Sequence, residues 1–104
     1  MSKNIYLLKS SDRKDKRYQV YQVDSLDKKT KISPVVHFGS TYENYTLHKD
    51  DDRKNSYIQR HKNNEDWQDL KTAGAWSRWL LWNKPKLNDS ISDMMKRFDI
   101  KIIT

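Results

Sequence analysis

Residues 1–40 carry short apolar runs separated by polar stretches, whereas residues 41–104 place apolar side chains at helical spacing. In the first part, Ile5 to Leu8, Tyr18 to Val23 and Val35 to Phe38 are rich in β-branched and aromatic residues and bounded by polar breakers, which predicts three strands. The connections Ser10 to Arg17 and Asp24 to Ser33 are polar and suited to hairpins, so an antiparallel meander follows. Pro34 has no N–H and belongs at the start of the third strand or on an edge, and Gly39-Ser40 ends that strand.

The period changes after Gly39. Asp50, Asp51 and Asp52 put negative charge where a helix start favours it, and Arg60, His61 and Lys62 close that helix with positive charge. Tyr57, Ile58 and His61 fall on one arc of this helix, with Arg53, Ser56 and Arg60 on a neighbouring arc. Asn63 to Leu70 is polar around Trp67 and reads as a loop or a single turn, and Thr72 is placed to cap the next helix. From Thr72 to Asn83 apolar side chains lie almost all round, leaving a narrow polar sector at Ser77 and Arg78, the pattern of a buried helix. Pro85 stops it. Asn88 or Ser90 then caps a last helix that gathers Ile91, Met94, Met95 and Phe98 on one arc, with Asp93 and Arg97 paired on its solvent side. The tail from Lys101 to Thr104 is β-prone and either adds an edge strand or frays.

The expected architecture is an α+β fold in a single domain over residues 1–104. A three-stranded antiparallel meander (1–40) precedes a helical part (41–104) of about three helices, with the tryptophan-rich helix at the centre of the core. The chain length of 104 residues agrees with one core, because two would each approach the ~40 to 60 residues at which unaided folding is marginal. Without cysteine there is no disulfide framework, no cysteine-ligated zinc and no thiolate nucleophile, which fits a reducing compartment. No apolar run approaches the ~20 residues that span a bilayer, and the N-terminus lacks a secretion-signal stretch. The expectation is an intracellular protein without a membrane partner.

Trp67, Trp76, Trp79 and Trp82 crowd into sixteen residues. Exposed, such rings stack on bases at ~1 to 3 kcal/mol each. With only 35% hydrophobic residues, however, the core must draw on them, and each buries ~150 to 250 Å². Core packing is therefore expected, first of all for Trp76 and Trp79.

Charge is the most usable functional signal. The 21 Lys and Arg against 14 Asp and Glu give a net +7. Arg13, Lys14, Lys16 and Arg17 sit in the first hairpin loop and Lys28, Lys29 and Lys31 in the second, and Lys49, Arg53 and Arg60 belong to the first helical stretch. All ten are candidate phosphate contacts, which supply affinity without sequence choice. Successive meander loops leave opposite ends of a sheet, ~15 to 20 Å apart, so the helix face would have to link the clusters across a duplex. The competing reading is a pair of solvated loops serving solubility, diluted by Asp12, Asp15, Asp24 and Asp27.

Catalytic patterns are missing from the sequence. His37, His48 and His61 form no i, i+4 pair, so no metal site is expected, and His61 on the packed arc reads as a hydrogen-bonded structural residue. There is no Gly-x-Ser-x-Gly turn, and two glycines leave no room for a phosphate-cradling loop. Consecutive carboxylates at Asp50 to Asp52 point in different directions and are better explained by the helix dipole than by a divalent ion. No enzyme activity, catalytic residue or cofactor is expected.

The segment from His37 to Phe98 contains Asn44-Tyr45-Thr46-x-His48-Lys49-Asp50, Arg53-Lys54, Tyr57-Ile58-x-Arg60-His61 and Thr72-Ala73-Gly74-x-Trp76-Ser77-Arg78-Trp79-Leu80-Leu81-Trp82-Asn83-Lys84-Pro85. Over roughly sixty residues it resembles a family of small uncharacterised proteins encoded by large and giant DNA viruses. The chain departs from that pattern at Ala75, where the family has a larger aromatic, and at Asp51, where Pro is frequent. The resemblance implies a viral origin and a setting in the host cytoplasm or the virion, with no catalytic residues to carry over. The expected function is a small non-enzymatic basic viral protein that binds nucleic acid through phosphate contacts, as an accessory in packaging or replication. The alternative is a virion structural or adaptor protein with an acidic protein partner.

Overall fold

A computed structural model describes residues 4–40 and 44–104, so the outer ends of the two predicted parts, at residues 1–3 and 41–43, lie outside the described residues. The meander is formed by β1 (Ile5–Ser10), β2 (Tyr18–Val23) and β3 (Val36–Phe38). Its register pairs Leu8 with Val20 and Val20 with Val36. After α1 (Tyr45–His48) and α2 (Asp51–His61), one α-helical turn, α3 (Ala73–Trp76), runs directly into a π-helical turn at Ser77–Leu81. α4 (Leu87–Phe98) and β4 (Lys101–Ile103) complete the chain.

The fold is α+β, with a sheet of four strands where three were expected, in the order β3-β2-β1-β4. Of the two outcomes open to the tail, it takes the edge strand: β4 pairs parallel with β1, setting Tyr6 opposite Ile102. A left-handed Asp99 (φ 53°) turns the chain out of α4, the Ile100 amide closes on the Met95 carbonyl, and the Lys101 amide reaches the Asn4 carbonyl. Parallel pairing needs a long connection, which here runs through β2, β3 and the whole helical part.

The alternation of side chains along the strands sends Tyr6, Leu8, Tyr18, Val20, Val36, Phe38 and Ile102 into the core, with Leu8, Val20, Phe38 and Ile102 fully buried. Helices cover that face. Trp76 is completely buried, edge-on to Tyr6 at 5.2 Å and 6.1 Å from Phe38, and Trp79 and Trp82 are buried as well. Trp67 is half-buried at the margin. Two indoles also act as ties, Trp76 donating to the Leu70 carbonyl at 2.8 Å and Trp79 to the Trp67 carbonyl at 2.7 Å, so the irregular stretch before α3 is pinned to the core.

Four helical details differ from the sequence expectation. Thr72 caps its helix as predicted, accepting from the Ala75 amide, but the helix then widens, and the Trp82 amide bonds the Ser77 carbonyl five residues back. In this segment Trp79, Leu80, Leu81 and Trp82 are buried in succession, because it is enclosed rather than amphipathic. Arg78, expected in the narrow polar sector, is half-buried. It donates to the Trp82 carbonyl at 2.8 Å and lies 4.6 Å from the Trp79 ring and 5.3 Å from the Trp67 ring. Neither Asn88 nor Ser90 caps α4. The helix starts earlier, behind Lys86, and the Ser90 hydroxyl accepts instead from the Lys84 amide at 3.0 Å. The Asp93–Arg97 pair forms at 3.3 Å, yet it is no simple solvent pair: Asp93 also accepts from Asn83 at 2.7 Å, and Arg97 stacks 4.1 Å from the Trp79 ring.

Candidate functional site

The side chain of Asp50 starts α2, accepting from the amides of Asp52 and Arg53, and the helix buries Tyr57 towards the core. Tyr57 lies flat on Trp82, 4.3 Å away and within 3° of parallel, and its other neighbour is His61 at 4.3 Å and 26°. His48 approaches Trp82 at 5.3 Å. The four rings form a column, His48–Trp82–Tyr57–His61, that joins α1, α2 and the end of the tryptophan segment.

The outer end of the column is held by a carboxylate. Glu65 lies 2.8 Å from His61 Nδ1 and accepts from the Trp67 indole at 2.9 Å. It rests on the backbone of Gly74, where an added Cβ would come within 2.8 Å of the carboxyl carbon. Burial, together with the Glu65 charge, pushes the Tyr57 hydroxyl well above the usual phenol range. At the inner end, His48 Nδ1 accepts from the Asp50 amide at 3.0 Å and organises the turn between the two helices.

Beside His61 and Glu65 opens a cleft of about 490 Å³, walled by Lys16 of the first hairpin loop, Ser40 after β3, Ser77 of the π turn and Trp82. The loop is locked against β3: the Arg17 amide bonds the Gly39 carbonyl at 3.0 Å, the Ser11 amide bonds the Arg17 carbonyl, and the Ser11 hydroxyl lies 2.8 Å from His37 Nδ1. Gly39 takes φ +90°, and a Cβ there would sit 2.6 Å from Leu81 Cδ1, so this approach requires glycine. A smaller hollow holds Arg53, Ser56 and Arg60, and Trp82 borders it too. The two hollows are therefore neighbours, with Trp82 common to both.

The predicted basic residues divide accordingly. Arg13 and Lys14 are exposed on the first loop, Lys16 lines the cleft, and Arg17 is half-buried with its Nε 3.4 Å from the Ser40 carbonyl. Arg53 and Arg60 are exposed on α2, Arg53 lying 3.7 Å from Asp50. Lys49 is exposed in a left-handed turn (φ 55°) and donates to the Thr46 carbonyl. Lys28, Lys29 and Lys31 are also exposed, but in the connection leaving the opposite end of β2. The fold thus brings the first loop and α2 together and sets the second loop apart. Lys54, beside Arg53, serves packing: it donates to the Asn83 carbonyl at 2.6 Å and lies 4.8 Å from the Tyr45 ring, and burial lowers its pKa.

Reasoning from sequence missed Glu65, Gly74 and Ser77 as members of one site. Only the i, i+4 spacing of His61 and Glu65 hinted at their pairing, and Glu65 lies just past the helix. Among the described residues no group of three or more His, Asp or Glu side chains is placed to hold a metal ion, and no helix is long and apolar enough to cross a membrane.

Fold and cleft together define a small α+β protein with helices packed on one face of a mixed sheet and a polar and aromatic cleft where hairpin loop, α2 and π turn meet. The chain belongs to the Family of unknown function (DUF5754), whose profile matches residues 6–61. That match takes in β1 through α2 and stops at His61, before the tryptophan segment. No curated protein and no solved structure matches the chain.

Proposed function

We propose that this is a small non-enzymatic viral protein that binds nucleic acid through its phosphates, as an accessory to genome packaging or replication. The viral setting rests on the resemblance of the His37-to-Phe98 segment. The binding mode is supported by one observation: Lys16 lines a cleft whose Trp82 wall also borders the hollow of Asp52, Arg53 and Arg60, so cations from two distant parts of the chain lie on either side of one ring. Phosphate contacts of this kind release counterions, and log affinity falls with log salt by about 0.9 per neutralised phosphate on duplex DNA and about 0.7 on single strands. Affinity should therefore drop steeply with salt, and replacing Arg13, Lys14, Lys16 and Arg17 together by Gln should flatten the dependence. A titration showing no complex at low salt refutes the proposal.

A second reading, an adaptor for an acidic protein partner, draws on the other face of the sheet. Ile5, Leu7, Tyr21 and Ile103 are only half-buried there, and exposed Leu26 and Ile32 flank Lys28, Lys29 and Lys31 in the second loop. Retention of a stoichiometric acidic partner after nuclease treatment would favour it.

A further inference from the structure

We infer that the cleft between the first hairpin loop and α2 receives one unstacked nucleobase, with Lys16 holding the phosphate attached to it, so that the protein prefers single strands over duplex. This deepens the nucleic-acid reading and rests on it.

Size and shape come first. At about 490 Å³ the cleft falls in the range of sites that enclose small molecules, about 300 to 1,000 Å³, and a single planar base with its sugar is a molecule of that class. A paired base inside a duplex cannot enter without being unpaired and turned out of the stack, which costs free energy that a single strand does not expend. Selection for single strands follows from the concavity.

The wall chemistry agrees with a base. His61 is the outermost ring of the Trp82–Tyr57–His61 stack, and its side chain remains 38% exposed, so a planar ligand can extend a stack whose inner members, Tyr57 and Trp82, are buried. Stacking of this kind tolerates any base, because every base has a π-face. Glu65 orients the imidazole through Nδ1, which leaves Nε2 as the ring nitrogen that can address a ligand. The same carboxylate takes one bond on each oxygen, from His61 and Trp67, and each oxygen keeps acceptor capacity for the N–H groups of a base edge. Ser77 of the π turn also lines the cleft.

The electrostatics set the polarity of entry. Lys16 lines the cleft, with Arg13 and Lys14 exposed on its own loop and Arg60 exposed on α2. A phosphate on the bound nucleotide meets Lys16, and phosphates on its neighbours in the strand pass those flanking cations. Asp15 and Glu65 set two carboxylates beside Lys16 in the cleft, which disfavours a phosphate there unless the base adds contacts of its own, so inorganic phosphate alone is not expected to bind. The site is also pre-shaped: Gly39 and Gly74 permit the close approaches that seat the loop and Glu65.

The test uses the full chain in three comparisons. A single-stranded oligonucleotide should bind about tenfold more tightly than a duplex of the same length at the same salt, the discrimination that stacking one base provides. In His61→Ala, with folding verified by circular dichroism, the single-strand affinity should fall about tenfold while duplex affinity changes less than twofold, and His61→Phe should keep the preference. A nucleoside monophosphate should change the tryptophan fluorescence of the unmodified protein, through Trp82, where inorganic phosphate does not. Equal affinity for both strand forms, an undiminished preference in His61→Ala, or no response to the monophosphate overturns the inference and leaves the phosphate reading standing. Failure to bind any nucleic acid at low salt overturns both. The first and third comparisons need no variant, so they decide the matter even if His61→Ala does not fold.

Discussion

Glu65 Oε2 lies 2.8 Å from His61 Nδ1, one turn beyond the end of α2, and this contact fixes the outer ring of an aromatic column. The same carboxylate holds the Trp67 indole, so it ties helix, connecting segment and core margin at one point.

Removing that carboxylate leaves two partly buried donors unpaired. Glu65→Ala should lower stability by roughly 1 to 3 kcal/mol, read by urea denaturation. Gly74→Ala behaves differently. Its Cβ displaces the flexible end of Glu65 rather than backbone, and alanine favours helix by up to about 1 kcal/mol over glycine, so stability should change by about 1 kcal/mol or less while the Glu65–His61 geometry is lost. A change in Trp67 emission with a denaturation midpoint shifted less than in Glu65→Ala is the expected signature.

Trp76 should be the most costly ring to remove. It is completely buried against Tyr6 and Phe38 and donates to the Leu70 carbonyl. Trp76→Ala should cost about 3 to 5 kcal/mol, a large part of the ~5 to 15 kcal/mol available to such a domain. Trp67→Ala, at the margin, should cost distinctly less. Circular dichroism melts of the two variants make the comparison.

Asp93 sets an acid dependence. Burial alone would raise its pKa, but the Asn83 hydrogen bond and the Arg97 charge outweigh burial and hold the carboxyl below its usual value. Its folded pKa therefore lies below the unfolded value of about 3.9. The stabilisation is complete above that value and is lost as pH falls through the folded pKa. Asp93→Asn should destabilise by roughly 1 to 2 kcal/mol at neutral pH, and the difference from the unmodified protein should shrink below about pH 4. Denaturation midpoints across pH 2 to 7 would show it, and a constant difference would exclude it.

The two basic loops should not act alike. The first faces α2 and the second leaves the far end of β2. Replacing Lys28, Lys29 and Lys31 by Gln should change the salt slope of nucleic-acid binding by less than one contact's worth, about 0.7 to 0.9, whereas the first-loop replacements should change it by several. Equal changes would mean that both ends of the sheet touch the ligand.

Much of the fold was legible in the chain. The strands begin and end within two residues of the apolar runs, the Asp50 to Asp52 carboxylates open α2, Thr72 caps the helix its position announces, and Trp76, Trp79 and Trp82 lie in the core. The candidate site was only half legible. Its cations stand out as charge clusters, but nothing in the local pattern couples Lys16 to His61, or Gly74 to Glu65, across tens of residues or through an irregular segment.

The amino-acid sequence by itself determined the meander, the span of α2 and the aromatic interior, because alternation, caps and breakers act within a few residues through backbone sterics and side-chain period. Only the tertiary structure decided that the tail becomes β4, that Arg78 is drawn among indoles, that the tryptophan helix widens into a π turn, and that one basic loop meets α2 while the other does not. Those outcomes depend on how bulky rings fill a shared interior, and packing of that kind has no local signature.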